Sequence, residues 1–550
     1  MKEHVCKIGL LLLSICMIAT ILWWEFTREN MSEEVGLYFQ VGEETIQTWE
    51  KDGVHYLFLP SFVSQENVLL TAYSPEFYIP RMGETITRNE SILEILQGQK
   101  IECQFVESKQ KFKLCVLQSE HIPALFIQTR SGGIQELKAD KEYAVSGTLR
   151  AVSTEGEWQD GVALKSIGGR GNTSFAGYEK KPFSITLNEA GSVLGLPTGQ
   201  KYALISNASD PSLIRNDIAR RMELALELPF SQEGQFVDLY INGEYEGNYY
   251  ICADIEVGHE RVDITDMEAV MNLIYRNRNY EAEEIYENAH VKARKISVNP
   301  KDITGGYLIE REYVQRFEHE YSQIDSAFIT DEKEHFVVKN PHYCSVEQIE
   351  YIHQYVNEAE KAILSPNGQH PKTGKDYQDY IDVDSFVKKY LVEEVSKNYD
   401  AGVSSSYFYK DSDLKGGKLC AGPGWDYDMS MGNYVEWMEE FSADPEGISE
   451  LAFHTYASSW YTELYKKEEF YQKVEENYEQ AVEPFLQELL TGGLERYQRM
   501  LEASSKMNEI RWQEELRKNP YYKNREKTFQ DLTEFLAARK AYLDEAWISE

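Results

Sequence analysis

The sequence predicts an α+β protein: an atypical, mixed catalytic domain preceded by a small β-sandwich-like domain and an N-terminal membrane segment, with a helical C-terminal part. Three observations predict it. Between Phe386 and Asp428 a helix, an acidic loop, two short strands and a second acidic turn follow in that order. Residues 35 to about 150 carry short β-prone stretches separated by polar turns. Beyond Ser449 charged and apolar residues mix at helical spacing as far as Leu543. The first of these orders is how a kinase-type phosphoryl-transfer site is built, with one carboxylate orienting the attacking hydroxyl and another holding the Mg²⁺ that bridges the phosphates.

The elements can be justified in chain order. Residues 8–24 form an uncharged, mostly apolar run after Lys2 and Lys7, closed by Trp23 and Trp24. It reads as a membrane-targeting segment within residues 1–30, an uncleaved anchor in preference to a cleaved signal peptide. The rest of the chain is then expected outside the membrane or secreted. The stretches 56–59, 101–106 and 112–117 predict strands of the sandwich over 35–150, which serves as a spacer or a binding module. Cys103 and Cys115 fall on two of them and either meet across a hairpin or stay as free thiols. The seven cysteines show no metal-type CxxC spacing. The catalytic domain is expected over residues 155–550, helical part included.

Its first motif is Gly168-Gly169-Arg170-Gly171-Asn172, whose glycines could let backbone amides cradle an anion, with Arg170 and Asn172 as further donors. In the strand predicted after it, Lys181 shares parity with Phe183, Ile185 and Leu187 and so points to the apolar face. A lysine there calls for a phosphate or a buried carboxylate; Glu310, Asp254 and Glu256 are the candidates. Asp210 as N-cap and Pro211 as first helical residue predict a helix up to Leu228, with Arg215 and Asn216 off its apolar stripe. Asn242-Gly243 between alternating apolar runs predicts a hairpin. The charged stretch 276–294 reads as a helical or mobile insertion. A helix is predicted over 385–397, with Asp400 just past its end, and a hairpin from 404–409 to 418–421 would bring Asp426 back towards it.

Together, Gly169-Arg170-Gly171-Asn172, Lys181-Pro182, Leu213-Ile214-Arg215-Asn216, Val237 to Gly243, Gly305 to Leu308 and Trp425-Asp426-Tyr427-Asp428 resemble the CotH family, over about residues 160–435. The resemblance implies an atypical protein-kinase-like fold that uses ATP with Mg²⁺ or Mn²⁺ to phosphorylate secreted, cell-surface or coat proteins. It places Lys181 on the ATP phosphates, Asp400 at the catalytic-loop position and Asp426 at the metal. Arg215 and Trp425 would lie near the nucleotide, and Asp428 would share the metal or support it. Ser405 stands where an ordinary kinase carries a metal-binding Asn five residues after its catalytic Asp. The serine hydroxyl is a weaker ligand, so a pseudokinase or a surface adhesion protein are the alternatives. The formal charge of −36 argues against a nucleic-acid or anionic-lipid binder, and an ATP site needs the local positive charge that Arg170, Lys181 and Arg215 offer.

Overall fold

The computed structural model describes residues 36–64, 68–91, 98–131, 133–276, 279–433, 444–452, 458–519 and 522–548. The expected membrane segment, with Cys6 and Cys16, lies outside them. Among the described residues no helix is long and apolar enough to cross a membrane. The chain divides into two compact units, one ending at Leu117 and one formed by residues 60–62 and 118–550.

The first unit holds two sheets. One has three strands, Tyr38–Val41, Glu44–Gln47 and Val68–Leu70, and the other has six, among them Val54–Leu59, Lys100–Phe105 and Lys111–Gln118. Cys103 and Cys115 occupy the hairpin of the last two, where Cys103 faces Phe112 and Cys115 faces Lys100. Both are buried free thiols.

The second unit begins well ahead of residue 150, because Ala124–Thr129 and Ala144–Val152 belong to its sheet system. These two join Trp158–Gly169, Phe183–Gly191, Gly199–Ile205, Glu244–Ala253 and Gly234–Ile241 in a closed barrel. A parallel pairing of residues 124–127 with 238–241 closes it. Leu125, Ile127, Ile167, Phe183, Ile185, Val237 and Leu239 fill the inside, as period-2 alternation requires. The Asn242-Gly243 hairpin is present, with both residues in left-handed backbone at φ 51° and 83°.

A seven-stranded sheet follows, with Tyr307–Glu312 paired between His335–Asn340 and Ser406–Lys410. The charged stretch read as helical or mobile instead supplies a hairpin, Ile285–Glu287 and Val291–Arg294, to this sheet. Tyr286, Val291 and Ala293 pack against the main core, which the charge pattern hid. The helix Val346–Leu364 lies against the sheet. Helices from Trp460 onwards, including Leu494–Leu516 and Arg525–Trp547, pack on the same core through Leu464, Val474, Leu501, Leu532 and Leu536.

Candidate active site

The helix Val383–Ser396 is capped by Asp382, whose side chain accepts from the Ser385 amide at 2.8 Å. It ends at Lys397 in left-handed backbone, φ 46°, and the chain turns at once into the loop that carries Asp400. The Asp400 carbonyl accepts from the Val403 and Ser404 amides at 3.0 and 3.1 Å. Ser406–Lys410 and Leu419–Ala421 then form the predicted hairpin, which delivers the Trp425-Asp426-Tyr427-Asp428 turn.

That turn is held by the segment 207–217. The Asn216 side chain accepts from the Tyr427 amide at 3.0 Å. Asn433 Nδ2 donates to the Asp428 carbonyl at 2.6 Å and to the Ser209 carbonyl at 3.0 Å. The Ser209 hydroxyl donates to Asp428 Oδ2. Gly424 allows the close approach, since a Cβ there would overlap the Glu223 carboxylate and the Tyr427 hydroxyl.

The three acids named from sequence are brought within one another's field. Burial first, then the Asp426 carboxylate, pushes the Asp400 carboxyl up to about 7, against the pull of Arg316. Burial and Asp426 hold Asp428 well above the usual carboxylate range, with Asp400 adding to the rise and the Ser209 hydroxyl opposing it. Oxygen donors of this kind suit Mg²⁺ or Mn²⁺. Among the described residues no group of three or more His, Cys, Asp or Glu side chains is arranged to hold an ion unaided. Mg²⁺ takes one or two protein carboxylates and completes its shell with water and phosphate oxygens. Asp426 and Asp428 are the residues that would hold it. Asp426 itself has φ 70°, a left-handed conformation that Asp tolerates better than most side chains.

Several other expectations need correction. Arg215, read from sequence as facing a phosphate or water, is turned inward. It is buried, with Nε on the Ser430 carbonyl at 2.9 Å, Nη1 on Asp210 Oδ1 at 2.5 Å and Ser212 Oγ at 2.9 Å, and Nη2 on the Met431 carbonyl at 3.3 Å. It ties the end of the acidic turn to Asp210. The helix there starts at Arg215, not at Pro211, because Asp210 spends its carboxylate on the Ser212 and Arg215 amides and Leu213 turns left-handed at φ 69°. Trp425 is buried, with the Arg170 and Arg220 guanidinium carbons 4.9 and 5.1 Å from its ring centroid.

The glycine motif forms no open cradle. Gly168 and Gly169 finish a strand, the Arg170 amide donates to the Pro182 carbonyl at 3.2 Å, and only Gly171 is left-handed, at φ 73°. The chain continues into the short helix Thr173–Gly177. Asn172 leaves this loop to donate to Glu320 Oε1 at 2.6 Å and to accept from Lys141.

Lys181 meets no carboxylate among the described residues. Its Nζ donates to the Phe175 carbonyl at 2.7 Å and lies 5.0 Å from the Phe175 ring centroid, beneath the same short helix. Glu310 pairs instead with Lys339, at 2.9 Å, and Glu256 accepts from the Gln200 amide at 2.8 Å. Parity failed because the strand begins only at Phe183, so the chain at 180–182 is not pleated. Lys180 is buried too, donating to the Ser206 and Asn248 carbonyls, and burial draws it down to about 7 against Glu246 and Asp238.

Ser405 lies in left-handed backbone at φ 50° and is buried beside Ser404. A cleft of about 210 Å³ is lined by Thr173, Tyr178, Ser209, Met429, Asn433 and Lys518, next to the residues that hold Asp428. Ser209, Asn433 and Glu393 were not foreseen as site residues; nothing in their local sequence separates them from ordinary loop and helix positions. Curated proteins provide no match to the chain. A family model described as CotH kinase protein matches residues 167–543, from the last turn of the strand before Arg170 to the final helix.

Proposed function

Because the chain belongs to the CotH kinase protein family, we propose that it is an atypical protein kinase that transfers the ATP γ-phosphoryl group to Ser or Thr hydroxyls of secreted, cell-surface or coat proteins. One observation carries the reading: Asp400, Asp426 and Asp428, from two separate loops, share one field that raises the proton affinity of Asp400 and Asp428. Such crowding is costly unless cationic charge is placed there. A bound Mg²⁺ or Mn²⁺ with ATP supplies that charge and withdraws electron density from the transferring phosphoryl group. Asp426 and Asp428 hold the cation side of the site. Asp400 accepts a hydrogen bond from the acceptor hydroxyl and takes its proton as the new O–P bond forms and the bond from the γ-phosphorus to the bridging oxygen breaks, with ADP as the leaving group. This reading assigns the phosphates to Lys181, held under the Thr173–Gly177 helix, and to Arg170, beside Trp425.

Export and membrane tethering belong to the same proposal and rest on residues 8–24. A second reading, a pseudokinase that binds nucleotide without transfer, is favoured by Ser405 in the place of a metal-binding Asn. The deciding experiment follows transfer from labelled ATP, with Mg²⁺ and separately with Mn²⁺, to the protein itself and to a Ser-rich acceptor. Label that Asp426→Ala abolishes supports the kinase. Metal-dependent ATP binding with no label supports the pseudokinase, and no binding at all leaves a surface-adhesion role.

A further inference from the structure

Arg316 carries no signal in the sequence, yet it stands between the two loops on which that mechanism depends. It lies on the helix Val314–Glu320, which follows directly on the strand Tyr307–Glu312. Its Nη1 is 3.0 Å from Glu312 Oε1 and its Nε is 3.4 Å from Glu320 Oε1. Nη1 also comes to 3.5 Å from Ser404 Oγ. Ser404 is the residue whose amide donates to the Asp400 carbonyl. On the opposite side, the Glu320 oxygen that faces Arg316 accepts from Asn172 of the glycine loop at 2.6 Å. Asn172, Glu320, Arg316 and Ser404 thus form one series of polar contacts from the glycine loop to the Asp400 loop.

The surrounding charges explain why this position is cationic. Glu310 is paired with Lys339, whereas the neighbouring Glu312 has Arg316 as its ion-pair partner. Burial and the Glu310 charge push the Glu312 carboxyl up to about 9 even so. Arg316 is also the positive charge that opposes the rise at Asp400. A guanidinium fork can face two carboxylates and a hydroxyl at once, which a single ammonium cannot do in fixed geometry.

Resting on the kinase reading above, we infer that Arg316 is a positioning residue: through Asn172 and Ser404 it keeps the Arg170–Asn172 loop and the Asp400 loop that meets the acceptor in one register. It touches neither reactant in this assignment. Its removal alters the placement of Asp400 and leaves nucleotide binding largely intact.

The test compares the full chain with Arg316→Ala, Arg316→Lys and Glu320→Gln by three readouts. These are steady-state transfer, equilibrium binding of ATP with Mg²⁺, and hydrogen exchange of peptides covering residues 170–178, 314–320, 383–396 and 398–406. Arg316→Ala is expected to lose roughly 10²-fold in kcat, the size of effect a misplacement of about 1 Å can have, with ATP affinity nearly unchanged. Exchange should quicken in 170–178 and 398–406 together, while 383–396 keeps its protection. Arg316→Lys should recover part of kcat, and Glu320→Gln should quicken 170–178 most. The inference is overturned if Arg316→Ala leaves kcat unchanged, or if faster exchange stays confined to 314–320. Should Arg316→Ala lose protection in 383–396, the fold has failed and Arg316→Lys decides: intermediate exchange in both loops supports the inference and wild-type exchange overturns it. If the wild-type chain transfers nothing, the kinase reading falls, and the exchange pattern still decides the role of Arg316.

Discussion

Tyr427, the residue between Asp426 and Asp428, has its hydroxyl 3.2 Å from Glu393 Oε1, while Glu393 Oε2 accepts from Asn398 Nδ2 at 2.8 Å. One buried carboxylate on the helix Val383–Ser396 therefore anchors both acidic loops. Glu223 accepts from the same tyrosine hydroxyl at 2.9 Å, and Lys389 neutralises the group from the preceding helical turn. The spacing of the two acidic loops is a property of this network, not of the loops themselves.

Tyr427→Phe should accordingly lower both stability and activity. Loss of the hydroxyl leaves Glu223 short of a donor, at a cost of about 1–3 kcal/mol, while Glu393 keeps Lys389 and Asn398. Displacement of the acidic turn should reduce transfer by roughly 10²-fold. Thermal unfolding and initial rates measured on the same preparation check both numbers. An unchanged rate beside a lowered melting temperature would show that Glu393 supports only the fold.

Cation binding should strengthen as pH rises. In the free protein Asp400 is pushed up to about 7 and Asp428 is raised in the same direction, so both hold protons at mildly acid pH that a cation must displace. The sign follows from the raised carboxyl: its contribution to folded stability is full below the unfolded value and is lost as pH climbs through about 7. Mg²⁺ or Mn²⁺ restores what is lost. The melting-temperature gain on adding the cation should thus be small near pH 5.5, grow through neutrality and level off by about pH 8.5. A gain independent of pH would separate the cation from these carboxylates.

The two adjacent lysines should fail in different ways. Lys180→Met leaves the Ser206 and Asn248 carbonyls without their donor, and about 1–3 kcal/mol of stability should go with it while transfer per folded molecule persists. Lys181→Met instead releases the Phe175 carbonyl and the short helix under the glycine loop, so the KM for ATP should rise about tenfold with little change in melting temperature. Reversal of the two phenotypes would exchange their roles.

How much of this was legible beforehand depended on the range of the interactions. Period-2 and helical spacing disclosed the barrel hairpin at Asn242-Gly243, the helix before Asp400 and the return of Asp426, because each is set by near neighbours. Arg215 was misread since two of its partners, Ser430 and Met431, lie more than two hundred positions away, and a flank arginine looks the same whether it faces water or a distant carbonyl. Arg316 left no trace for the same reason: its meaning comes from Ser404 and, through Glu320, from Asn172. Lys181 lies between these cases: it is buried as read, and of the phosphate or carboxylate that its burial called for, the carboxylate is not among the described residues, where the Phe175 carbonyl takes its ammonium group.

Ser405→Asn is the substitution most directly tied to catalytic capacity. Ser405 occupies left-handed backbone at φ 50°, a conformation in which Asn is among the best tolerated of side chains, so the exchange carries no backbone penalty of consequence. The position is buried, and the added carboxamide has to fit beside Ser404 and Ser406. If the serine limits transfer by offering the cation a poor oxygen, the amide carbonyl should raise kcat several-fold and tighten Mn²⁺ binding, with Asp426→Ala still inactive. Thermal unfolding separates a steric failure from a chemical one. A folded Ser405→Asn protein with unaltered kcat and cation affinity would mean that the cation is held from the Asp426 side alone.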